Sequence, residues 1–169
     1  MPGRKTSLAR WAPLLSEPEA RAALGQALVP LLAAEVTARL PADLAFDPAR
    51  DDINAWIDRA DRVAQIHTIT REDTRALAGL LLLFYDGDEP DGDLMIGYFL
   101  GPAHWGQGLA SDMLAGLVAD LDQGPVRRLH AGTDADNHAS QRVLAKAGFT
   151  RDVADSTPGR TAFSRLCGG

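Results

Sequence analysis

Leu100-Gly101-Pro102-Ala103-His104-Trp105-Gly106-Gln107-Gly108-Leu109-Ala110-Ser111 is the stretch that decides how this chain reads. It joins a run of strand formers, Leu94 to Leu100, to a helical pattern in which Leu109, Met113, Leu114, Leu117, Val118 and Leu121 recur before Gly124. Strand, glycine turn and helix start, in that order, build an anion site. The unpaired N–H groups of a first helical turn and the positive end of the helix dipole converge there, and Gly106 and Gly108 let the backbone come close to a diphosphate. The same residues also fit a turn whose glycines serve backbone geometry alone. Two other phosphate loops do not fit. A Walker A loop needs Gly-Lys-Ser/Thr entering its helix, and no lysine lies between Lys5 and Lys146. The dinucleotide fingerprint needs a third glycine where Ser111 stands.

A second constellation follows a strand over Arg128 to Thr133: Asp134-Ala-Asp136-Asn137-His138-Ala-Ser140-Gln-Arg-Val143-Leu144-Ala-Lys146-Ala-Gly148-Phe149. Asp136 or Asn137 caps a short helix, Val143 and Leu144 face the core, and Gly148 supplies a left-handed end before a last pair of strands. Upstream, Leu8 to Leu15 reads as extended. Ser16 then sits as an N-cap with Glu19 at capping-box spacing and Pro18 in the first turn. Leu24, Leu28, Leu31, Leu32 and Val36 continue at helical intervals, but Pro30 splits them into two pieces ending near Pro41. Pro48 to Ala64 forms a further helix, with Ile53, Trp56, Ile57 and Ala60 on its apolar face; Trp11 and Trp56 read as core. Ile66 to Thr70 and Ala76 to Tyr85 are strands. Asp86 to Asp93, with its five acidic groups, is a solvated hairpin turn; Pro90 and Asp91 occupy positions that a calcium loop reserves for a ligand and a glycine.

The chain has 169 residues, 46% of them hydrophobic, and a net charge of -6. That length buries roughly 70% of the unfolded surface, so one domain needs neither disulfides nor structural metal. The acidic balance excludes a dedicated nucleic-acid binder. The longest apolar run, Leu77 to Tyr85, falls far short of the about 20 residues that span a bilayer, so no membrane partner is expected. No apolar targeting core follows Met-Pro-Gly-Arg-Lys. Cys167 is the only cysteine, which fits a reducing, cytoplasmic setting and no metal site built on cysteines.

Taken together, the turn and the later Asn-x-x-Ser-x-x-Val-Leu-x-Lys-x-Gly-Phe pattern resemble the GCN5-related N-acetyltransferase (GNAT) family. The Gly97-Tyr98 pair and the Trp105 to Ala110 wording look most like its RimJ and RimL branch of ribosomal-protein N-terminal acetyltransferases. The resemblance spans about Gln65 to Phe163, and the helical N-terminal third, about 16–64, matches loosely. It implies a single α/β domain over 1–169, with a mixed, mostly antiparallel sheet of six or seven strands flanked by helices and opened at the cofactor strand.

The resemblance further implies acetyl-CoA as co-substrate, with no metal. Its diphosphate rests on Trp105, Gly106, Gln107, Gly108, Leu109, Ala110 and Ser111, and its pantetheine arm pairs with the backbone of Phe99 and Leu100. Asn137 bonds near that arm, and Ser140, the catalytic residue, protonates the departing thiolate. In this pattern many members carry Glu where this chain has Met95, so the base falls to Asp93, Glu72, Asp73, His104 or His138, none singled out.

A poor base favours a low-pKa acceptor. An α-amine titrates near 8 and a lysine amine near 10.4, a gap worth roughly 3.3 kcal/mol of deprotonation at neutral pH. The expected acceptor is a primary amine, such as a protein or peptide N-terminus. The alternatives are a small-molecule amine (an antibiotic or a polyamine) and a non-catalytic acyl-CoA-binding module. Oligomeric state stays open.

Overall fold

The computed structural model describes residues 3–85 and 92–169. Most of the acidic connection, residues 86–91, lies outside the described residues, and so does the hairpin reading placed on it. Among the described residues seven strands form one sheet in the order β1-β2-β3-β4-β5-β7-β6, with helices between them in the chain. The chain sorts into two compact units, Met1–Leu82 with Tyr98–Leu109, and Leu83–Gly97 with Ala110–Gly169.

In the first unit, β1 (Thr6–Arg10) pairs antiparallel with β2 (Gln65–Arg71), from Thr6 opposite Arg71 to Arg10 opposite His67. The extended reading of Leu8 to Leu15 is corrected here, since a helix α1 occupies Ala12–Leu15. The expected cap at Ser16 is corrected as well. Helix α2 (Pro18–Leu28) starts from Glu17, whose backbone is extended, because the residue before a proline is driven out of the helical region. Pro30 does split the pattern. A 3-10 turn covers Val29–Leu31 and a short α3 covers Ala34–Thr37.

Helix α4 spans Ile53–Val63 and begins later than Pro48, because Asp52 is the residue whose carboxylate caps it, accepting from the Ala55 N–H. Its apolar face is fully buried at Trp56, Ile57 and Ala60. Burying an indole leaves its N–H to be satisfied. Trp56 Nε1 donates to the Leu44 carbonyl at 3.0 Å and Trp11 Nε1 to Asp61 Oδ1 at 2.8 Å. On the solvent side, Arg21 of α2 reaches Asp58 at 2.7 Å.

β3 (Leu77–Tyr85) is buried from Ala78 to Leu83, as expected of a strand covered on both faces. β4 covers Leu94–Leu100. In the second unit β4 runs parallel to β5 (Arg127–Asp134), pairing Leu94 with Leu129, Met95 with His130 and Ile96 with Ala131. β7 (Arg160–Cys167) lies antiparallel to β5 along its whole length, and β6 (Thr150–Thr157) closes that edge with a bulge between Asp152 and Thr157. Helix α5 (Leu109–Leu121) buries Met113 and Leu114 completely. Helix α6 (His138–Lys146) ends at Gly148, whose φ of 86° is the left-handed cap.

Candidate active site

The turn after β4 belongs to the first unit. The Gly101 N–H donates to the Ala78 carbonyl at 2.9 Å, so β3 fixes where β4 ends. A methyl on Gly101 would strike the Leu31 side chain, which places the 3-10 turn of the helical region directly against this point. Pro102–His104 then form one 3-10 turn, and Trp105 Nε1 folds back to donate to the Leu100 carbonyl at 2.8 Å. Gly106 and Gly108 both adopt left-handed backbone, with φ of 70° and 75°, a region that side chains with a Cβ enter at a cost.

Between those glycines, Gln107 is gripped twice. Its backbone carbonyl accepts from Lys5 Nζ at 3.1 Å, and its side-chain oxygen accepts from Arg71 at 2.5 Å. Its amide nitrogen donates to the Ala103 carbonyl at 2.9 Å. Nothing in the sequence pattern singled out Lys5 or Arg71.

Of the residues expected at the cofactor, Phe99, Leu100 and Trp105 to Leu109 thus lie on one strand, turn and helix start of the first unit. The Leu100 carbonyl holds the indole. Ala110, Ser111, Asn137 and Ser140 fall in the second unit.

There, Asn137 and Ser140 meet. Asn137 caps α6 by accepting from the Ser140 N–H at 3.3 Å, while its own amide donates to Ser140 Oγ at 3.2 Å. The backbone donor fixes which end of the Asn137 amide is the oxygen. With Oγ accepting from Asn137, the hydroxyl proton points elsewhere and is the more acidic for it. Cap and candidate acid are one arrangement.

The candidate bases separate on their electrostatics. Asp73 is locked in a two-pronged pair with Arg71, at 2.8 and 2.6 Å, which holds its carboxyl far below the usual range. Asp93 accepts from the Arg128 N–H and sits 3.3 Å from His130 Nε2, and these contacts hold it low as well. Both therefore stay ionised at neutral pH and are weak proton acceptors. Glu72 pairs with Arg75 at 3.0 Å. Burial, then the charge of Arg71, pushes the His104 imidazole down, so it is neutral at pH 7. His138 is the first residue of α6. Met95 is 44% exposed, and its Cα partner on β5 is His130, an imidazole that register, not sequence spacing, brings beside it.

Residues 12–150 match the family described as Acetyltransferase (GNAT) domain, and the protein belongs to that family. A curated relative is the uncharacterized N-acetyltransferase YoaA of Bacillus subtilis, 33% identical over 85 residues, which are 50% of this chain. The match spans about half the length of that relative, 48%. Among solved structures, an acetyltransferase of the GNAT family from Bacillus anthracis superposes with a TM-score of 0.67 at 14% identity, covering 96% of this chain and 95% of the other. RimL, a ribosomal alpha-N-protein acetyltransferase solved in complex with coenzyme A, superposes equally well, with a TM-score of 0.67 at 20% identity over 98% and 96%. Both share the fold.

Proposed function

We propose that the protein transfers an acetyl group from acetyl-CoA to a primary amine, with a peptide N-terminal α-amine as its preferred acceptor. The observation that carries this reading is the pair of left-handed glycines, Gly106 and Gly108, leading into the N-terminus of α5. That arrangement suits a diphosphate, and a similar fold has been solved with coenzyme A.

In the proposed reaction a neutral amine attacks the thioester carbonyl. The carbon–sulfur bond breaks, and the thiolate takes a proton from Ser140, whose hydroxyl is oriented by Asn137. Asp73 and Asp93 are held as weakly basic carboxylates, so the amine proton leaves through water, and water returns a proton to the Ser140 oxygen. Such a site favours amines that are already partly neutral. Titration with acetyl-CoA, followed by an amine panel, tests the reading: peptide N-termini are expected to outpace lysine side chains and polyamines. Faster lysine acetylation would overturn the acceptor, and absence of acetyl-CoA binding would overturn the activity.

Turnover by the parent protein separates an enzyme from a silent binding module, and Ser140→Ala tests the proton donor. The variant's kcat is expected to fall by at least about tenfold, less than the usual roughly 10²–10⁴ of general-acid effects because a thiolate leaves readily. The KM for acetyl-CoA should stay close to that of the parent. An unchanged kcat would assign Ser140 to helix capping alone.

A further inference from the structure

The diphosphate turn carries glycines on both sides of Gln107, so the two peptide planes around that residue are soft. Two cations from elsewhere in the chain remove that freedom. Lys5 comes from the residue before β1, and its own carbonyl accepts from the Glu72 N–H at 2.9 Å, which anchors its backbone. Arg71 is the last residue of β2 and lies in register with Thr6, the neighbour of Lys5. One cation takes the Gln107 carbonyl and the other takes its side-chain oxygen, while Asp73 holds the Arg71 guanidinium in a fixed fork.

A trans peptide sets its C=O and N–H in opposite directions. With the Gln107 carbonyl turned to Lys5 Nζ, the Gly108 N–H is turned the opposite way, away from that ammonium. The charge itself also stays close: a Cβ on Gly108 would lie 3.2 Å from Lys5 Nζ. We infer that Lys5 and Arg71 are positioning residues for the cofactor diphosphate, clamping Gln107 so that the turn presents its donors before the ligand arrives. This rests on the reading of the turn as the acetyl-CoA site.

The clamp makes a demand that general scaffolding does not. Its loss should be felt by a donor that carries the diphosphate and spared for one that lacks it. The test compares parent, Lys5→Met and Lys5→Arg, with acetyl-CoA and with S-acetylpantetheine, and records melting temperatures alongside. Lys5→Met is expected to raise the KM for acetyl-CoA about tenfold without a matching fall in kcat, so that its preference for acetyl-CoA over S-acetylpantetheine drops by the same factor. Lys5→Arg should restore most of that preference. If Arg71→Met is soluble, it should show the same split.

Equal losses for both donors would overturn the clamp. So would a Lys5→Met variant that binds acetyl-CoA as the parent does, and that outcome would leave the acetyltransferase reading standing. A parent protein that fails to bind acetyl-CoA would overturn both.

Discussion

Gly79→Ala is expected to cost at least about 3 kcal/mol and to lower the melting temperature by about 10 °C. A methyl at Gly79 on β3 would fall onto the Phe99 carbonyl oxygen and within 2.9 Å of the Leu100 Cα. Those are backbone atoms, which no rotamer change can move aside. The strands would have to part where β4 ends, losing the Gly101 to Ala78 hydrogen bond with them. Because Phe99 and Leu100 lead into the glycine turn, acetyl-CoA affinity should fall in whatever folded protein remains. Calorimetric melting decides it, and a variant melting within about 2 °C of the parent would show that β3 and β4 do not approach so closely.

Gly108→Val should do the reverse, sparing the fold and emptying the site. A left-handed backbone costs a side chain with a Cβ roughly 1–2 kcal/mol, and more for a branched one, an amount a domain of this size tolerates at one exposed position. Here the branched side chain would also press on Lys5 Nζ, 3.2 Å from where its Cβ would lie, and enter the space a diphosphate needs. A loss of acetyl-CoA affinity of at least about thirtyfold is expected by titration calorimetry, with a melting temperature lowered by only about 5 °C, half the fall expected at Gly79. Retained affinity would remove the turn from the binding reading, whatever the rest of the fold resembles.

These two glycines also mark how far sequence reasoning reaches. Leu94 to Leu100 and Leu109 to Leu121 were legible because apolar spacing and turn chemistry agree over every residue of each element. Asn137 and Gly148 were legible as caps because their roles are local. The start of α2 was not. Ser16 and Glu19 have capping-box spacing, but Pro18 fixes the residue before it as the boundary and so overrides the hydroxyl. Likewise, Pro48 looked like a helix start, whereas Asp47 is tied up in a turn with Ala49 and Asp51, and the helix waits for Asp52.

The candidate site divides the same way. The turn itself is a contiguous motif, and its geometry follows from two glycines. What holds it does not, since Lys5 is 102 residues from Gln107 and Arg71 is 36 away, and neither separation has a period. The pairing of Met95 with His130 across a parallel ladder is equally silent in the sequence, because strand register depends on the whole sheet.

The indole that folds back onto Leu100 gives the chain an optical property. Of three tryptophans, Trp11 and Trp56 are sealed at 1% and 0% exposure, whereas Trp105 is 50% exposed and stands at the glycine turn. A charged collisional quencher such as iodide reaches it far more readily than the two buried rings. If acetyl-CoA seats on the turn as proposed, it should shield this one residue from quencher in unlabelled protein and leave the two buried rings as they were.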